Sequence, residues 1–263
     1  MCFPFDARPP DLPADLAMRP VAGAAAAEPL ELTSADGTRF SAALASSPDT
    51  REPAVVILPD VRGLYRFYVE LAERFAQAGH AAIAIDYFGR TAGLGERGED
   101  FDYMAHVQET RVEGIQADAA AAIDALRERA GASSFVTVGF CFGGTHSFLA
   151  ATNPELPLDG VVGFYGGLAE RPNRPSPIAG ASATRCPVLG LFGGADQHIP
   201  QDQIDEFDAA LDGAGVEHEL VTYPGAPHSF FDRAFAEHAA ACEDAWRRVL
   251  SFLERIGARR VGV

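Results

Sequence analysis

The sequence predicts an α/β domain with a mostly parallel central sheet and helices on both faces. Strand-length apolar runs, "AVVIL", "AAIAI", "FVTVGF", "GVVGFYG", "VLGLF" and "ELVTY", recur along the chain with helical stretches between them. Near-continuous apolar strands interleaved with helices imply a sheet covered on both sides. At 263 residues and 48% hydrophobic composition the chain can bury one large core, so residues 29–263 are expected to form a single domain.

Taken in order, residues 1–28 are rich in Pro and Ala without periodicity and read as an arm. "LELTSADGTRFSAAL" then sets Asp36-Gly37 between two alternating stretches, the signal of an antiparallel hairpin. Tyr68, Leu71, Ala72, Phe75 and Ala78 fall at helical spacing before Gly79, a stop. A second helix is expected from about Val107 to Ala130. The last helix is expected to carry Phe231, Phe235, Cys242, Trp246, Val249 and Leu253 on one stripe against the sheet. Two long irregular segments, "FGRTAGLGERGEDFD" and "LAERPNRPSPIAGASATR", follow strands at the edge where open α/β sheets bind ligands, and are candidate lids.

Composition excludes several function classes. With 37 acidic against 21 basic residues, a net charge of −16 repels phosphate backbones and anionic lipid heads, so neither nucleic acid nor membrane is an expected partner. The four cysteines, at 2, 141, 186 and 242, contain no Cys-x-x-Cys pair, which argues against a disulfide framework or a zinc ribbon and for a reducing compartment. Prolines and aspartates interrupt the first twenty residues where a secretory or membrane segment would be apolar, so a cytoplasmic location is expected.

The chemistry centres on Gly139-Phe140-Cys141-Phe142-Gly143, a strand-to-helix turn in the pattern of a nucleophile elbow with cysteine in the serine position. Small neighbours suit a strained turn, and the following helix N-terminus favours a thiolate and an oxyanion beside it. The same residues are compatible with a small buried cysteine. Downstream, one strand ends in "GGADQHIP" with Asp196, and the next ends in "PGAPHSF" with His228. Acid then histidine is the order in which triad partners follow such a nucleophile. Asp196 could equally cap the helix nearby, and His228 could be a turn histidine. His198 lies two residues past Asp196 at a helix start, which leaves His228 the preferred base. His80, His106, His146, His218 and His238 are expected to be solvated or packed.

"GFCFGG", "GGADQHIP", "PGAPHSF", "VVILPDVRGL" and "IDYFGR", spread over residues 30–255, together resemble the dienelactone hydrolases, which have the α/β-hydrolase fold and a cysteine nucleophile. The resemblance implies Cys141 as nucleophile, His228 as base and Asp196 as the acid orienting it. It also implies an oxyanion hole from the backbone N–H groups of Phe142 and Val61. Members acting on dienelactone have a glutamate at the position of Asp60 that switches the thiol to thiolate, and arginines that bind the substrate carboxylate. Here Asp60 is one methylene shorter, Asp232 occupies one arginine position with Arg233 displaced by one, and residues 100–106 lack the other. Asp60 is therefore expected to modulate the thiol or touch substrate, or simply to cap the turn, and Arg62 in the same exposed loop could either provide a replacement cation or be solvated.

The expected activity is hydrolysis of a small ester or lactone through a Cys-His-Asp triad and a thioester, with no cofactor or metal, in a monomer or homodimer. Two alternatives remain open from the residues. One is a thiol redox protein in which Cys186 or Cys242 resolves an oxidised Cys141. The other is a non-catalytic small-molecule binder on the same fold.

Overall fold

A computed structural model describes residues 5–17, 26–48, 50–232 and 236–261. Its strands are β1 (Glu28–Thr33), β2 (Arg39–Ala45), β3 (Arg51–Leu58), β4 (His80–Ile85), β5 (Phe135–Phe140), β6 (Gly160–Phe164), β7 (Val188–Gly193) and β8 (His218–Tyr223). They form one sheet in the order β1-β2-β4-β3-β5-β6-β7-β8. β1 and β2 pair antiparallel around the Asp36-Gly37 turn, β2 runs antiparallel to β4, and every pairing from β4 onward is parallel.

The helices among the described residues are α1 (Ala14–Ala17), α2 (Arg66–Gln77), α3 (Gly89–Ala92), α4 (Tyr103–Glu109), α5 (Val112–Ala130), α6 (Phe142–Ala150), α7 (Pro177–Gly180), α8 (Gln201–Gly213) and α9 (Ala239–Val261). None of them is long and apolar enough to cross a membrane. β3 shows why its sequence is an unbroken apolar run. Val55 and Ile57 pack into one core with Tyr68, Leu71 and Phe75 of α2 and Trp246 of α9. Ala54, Val56 and Leu58 pack into the other with Ile115, Ile123 and Leu126 of α5. Both pleat faces are dry, so no polar alternation is needed.

α2 stops where expected, with Gly79 at φ 96°, a left-handed conformation glycine adopts without strain. Two boundaries differ from expectation. The helix expected from Val107 is two helices, α4 and α5, because Thr110 turns to extended backbone at ψ 147° and Arg111 follows at ψ 148°. α9 begins at Ala239, so Phe231 is not on it. Phe231 is nonetheless buried in the same core, its ring centroid 5.4 Å from that of Trp246. Its hydrophobicity identified a core residue but not a helical one. Phe235 lies outside the described residues.

Residues 5–17 lie against α2 and α9. Pro10 accepts a hydrogen bond from Trp246 Nε1 at 3.1 Å, Arg247 pairs with Asp15 at 2.7 Å, and Ala7 and Leu12 are buried. The segment after β4 is held down by Arg97, which reaches back to the buried Asp86 at 2.8 Å.

Candidate active site

The elbow follows from two close approaches of backbone. β5 ends at Phe140 and α6 begins at Phe142, so the chain reverses within Cys141, which stands at φ 54° and ψ −109°. A Cβ on Gly139 would lie 2.0 Å from the Gly143 carbonyl oxygen, and one on Gly143 would lie 2.0 Å from that of Leu58. Only glycine fits at either position. The turn is fixed by the Cys141 N–H donating to Phe164 O at 2.9 Å and by Thr145 N–H donating to Cys141 O at 3.1 Å. Phe142, at the first position of α6, has no intrahelical acceptor for its N–H.

The loops after β7 and β8 bring Asp196 and His228 together. His228 Nδ1 is 2.6 Å from Asp196 Oδ2, and the His198 backbone N–H donates to Asp196 Oδ1 at 2.8 Å. Burial acts to raise the Asp196 carboxyl, but the bonds from His228 and His198 outweigh it and hold the group below its ordinary range. Asp196 does not cap α8, whose N-cap is Pro200. Strained backbone concentrates here. Besides Cys141, Tyr165 (φ 38°) and Ser229 (φ 61°) are non-glycine residues in the left-handed region, and the Tyr165 ring is 5.0 Å from that of His228.

A cavity of about 320 Å³ opens at this rim, and Cys141, Val61, Phe142, Tyr165, His198 and His228 are among its walls. Val61 sits in the loop after β3, which Tyr87 steadies by donating its hydroxyl to Pro59 O at 2.6 Å. Asp60 and Arg62 flank Val61 but are not part of the cavity wall. Their side chains are buried, with Arg62 Nη2 2.6 Å from Asp60 Oδ2 and the guanidinium 4.2 Å from the Tyr65 ring centroid. Arg62 is thus neither solvated nor turned to the cavity, because its neighbour Asp60 is already its counter-ion. Asp232 is fully buried and accepts from Arg8 N at 3.3 Å. Arg233 lies outside the described residues.

The dienelactone hydrolase family model matches residues 40–257. The chain belongs to the dienelactone hydrolase family. Relatives include a protein of Escherichia coli O157:H7 named "Putative carboxymethylenebutenolidase", 30% identical over 79% of each chain. A carboxymethylenebutenolidase of Rhodococcus opacus is 30% identical over 80% of this chain and 84% of its own. Among solved structures, a "Putative Dienelactone Hydrolase" from Klebsiella pneumoniae superposes with a TM-score of 0.75 at 29% identity, covering 88% of this chain and 99% of that one. This dienelactone hydrolase family member has the α/β-hydrolase fold and is an ester or lactone hydrolase.

Three residues of the hydrolase's site region were not singled out from sequence. Arg171 and Arg174 line the cavity from the loop after β6, and His146 is buried behind it at 3% exposure. The Pro-Asn pair between the arginines is a turn signal that could have marked them. Nothing in the sequence distinguishes His146 from a packed histidine. The two cysteines considered as resolving thiols are buried. Burial pushes the Cys186 thiol up to about 12 and that of Cys242 up to about 11, which suits neither to thiol exchange.

Proposed function

We propose that the hydrolase cleaves its ester or lactone by covalent catalysis at Cys141. His228 removes the thiol proton as sulfur attacks the acyl carbon, and the carbonyl electron pair moves onto oxygen. That oxyanion is held by the backbone N–H groups of Phe142 and Val61. Collapse expels the alkoxide, which takes the proton from His228 and leaves a thioester. His228 then deprotonates water, which attacks the thioester carbon. Expulsion of the sulfur, reprotonated from His228, releases the acid. Asp196 keeps the imidazole in one orientation and stabilises its charged form.

The observation that carries this reading is the 2.6 Å contact between His228 Nδ1 and the buried Asp196 carboxylate, in a histidine that shares one cavity wall with Cys141. The contact leaves Nε2 as the nitrogen for proton transfer. The test is intact-mass measurement after brief exposure to a panel of esters and lactones. An acyl adduct confined to Cys141, absent from Cys141→Ala together with turnover, is expected. Full turnover by Cys141→Ala would overturn the assignment.

A further inference from the structure

Val61 sits in a turn that closes on itself. The Gly63 N–H donates to Asp60 O at 3.1 Å, and the Asp60 carboxylate accepts both the Arg62 backbone N–H at 2.9 Å and Arg62 Nη2 at 2.6 Å. Asp60 is fixed in turn through its own N–H, which donates to the Tyr68 hydroxyl of α2 at 2.9 Å. Val61 holds the second position of this turn, whose N–H the turn itself does not use. The clamp between residues 60 and 62 therefore sets where the Val61 N–H points.

Part of the cover on that clamp comes from far away in the chain. The Arg62 guanidinium lies 4.2 Å from the Tyr65 ring centroid and 5.3 Å from that of Phe5, and the two rings are 5.5 Å apart. Phe5 belongs to the arm, ahead of the stretch 40–257 matched to the family. It is half-buried and packs against the main core.

The arm is fastened on both sides of the site. Ala7, Pro9 and Pro10 are buried, and the prolines at 9, 10 and 13 restrict its backbone. The Arg8 guanidinium pairs with Glu70 of α2, and the Arg8 N–H donates at 3.3 Å to the buried Asp232, four residues past His228. The arm thus touches the turn that carries Val61 through Phe5 and the segment that follows His228 through Arg8. A guanidinium–carboxylate contact weakens as water enters and the local dielectric rises. The Phe5 ring keeps water from Arg62 and attracts its charge.

We propose that Phe5 is a positioning residue for hydrolysis: by covering Arg62 it keeps the Asp60–Arg62 clamp shut, and the shut clamp holds the Val61 N–H where the oxyanion forms. The proposal rests on the assignment of Val61 as an oxyanion donor. A small displacement of such a donor slows a reaction whose charge develops at one point.

The test compares Phe5→Ala, Phe5→Leu and Phe5→Trp in the full chain, using a 4-nitrophenyl ester and, separately, iodoacetamide. Ester turnover passes through an oxyanion, whereas alkylation of the thiol does not. Phe5→Ala is expected to lower kcat by about tenfold or more, with KM within about twofold of the wild type. Alkylation of Cys141 is expected to keep its wild-type rate and pH profile. Phe5→Trp, which restores a ring face, is expected to recover most of kcat. Phe5→Leu keeps apolar bulk without a ring face and is expected to lose kcat severalfold. It carries the test if thermal denaturation shows the alanine variant unfolded at the assay temperature. Wild-type kcat in both Phe5→Ala and Phe5→Leu overturns the positioning role, as does alkylation slowed as much as ester turnover, or a Phe5→Trp variant no faster than Phe5→Ala. Val61→Pro removes the N–H at a turn position that suits proline and separates the two assignments. Full turnover by Val61→Pro removes the oxyanion role of Val61 and the proposal with it. Slow turnover there, beside full turnover by Phe5→Ala and Phe5→Leu, leaves that role standing and overturns the part played by the arm alone.

Discussion

His228 Nδ1 lies 2.6 Å from Asp196 Oδ2, across 32 residues of chain, with the carboxylate side chain fully buried and the imidazole 18% exposed at the cavity rim. The pair is therefore anchored at one end and accessible at the other. Asp196→Asn keeps the shape and removes the charge. Turnover is expected to fall between about a hundredfold and ten-thousandfold, measured as kcat/KM on an activated ester.

The same carboxylate gives a pH dependence of stability. Because its folded pKa is lowered from the ordinary aspartate value of 3.8, it binds fewer protons folded than unfolded. Its contribution is present above 3.8 and lost as pH falls through the lower folded value. Urea denaturation at pH 7 and pH 3 should therefore show a smaller acid-induced loss for Asp196→Asn than for the wild type. An equal loss in both proteins would contradict this.

Cys141 stands at φ 54°, where a side chain is strained and glycine is not. Cys141→Gly is expected to be inactive yet no less stable than the wild type, with a gain of about 1 kcal/mol in chemical denaturation. A marked loss of stability would mean that the sulfur is held for packing.

Asp60 and Arg62 are a buried pair, 0% and 6% exposed at their side chains. Asp60→Ala would leave a guanidinium buried without its counter-ion, at a cost of about 3–5 kcal/mol. Replacing both residues with apolar ones of similar size should recover most of that loss. A double-mutant cycle followed by thermal denaturation measures the difference.

Asp118 behaves in the opposite sense to Asp196. Burial pushes its carboxyl up to about 6, against the opposing bonds from Ser34 and Arg90, and its Oδ2 has no partner. A raised carboxyl stabilises the fold fully below the unfolded pKa and loses that contribution as pH rises through about 6. The wild type is expected to lose up to about 3 kcal/mol between pH 4 and pH 7 relative to Asp118→Asn. Denaturant midpoints across that range check it.

The fold was legible because its signals are local. Apolar runs such as "AVVIL" and "AAIAI", the Asp36-Gly37 turn and the Gly79 stop each depend on residues adjacent in sequence. The errors came where neighbours in sequence part company in space. Thr110 breaks a helical run with an extended backbone angle, and Phe231 is buried against Trp246 from outside the helix its spacing suggested. Arg62 read as an exposed loop cation, yet its carboxylate partner lies two residues away and burial follows from the pair.

By itself, the sequence determined the parallel sheet, the glycine-flanked turn at Cys141 and the order of acid and histidine after it. Hydrophobic period, turn chemistry and chain order are all written in one dimension. Tertiary structure alone decided that Asp60 and Arg62 neutralise each other away from the cavity. It alone set the unpaired arginines of the 171–174 turn beside an unpartnered His146, because burial and charge pairing depend on which distant segments share a low-dielectric space.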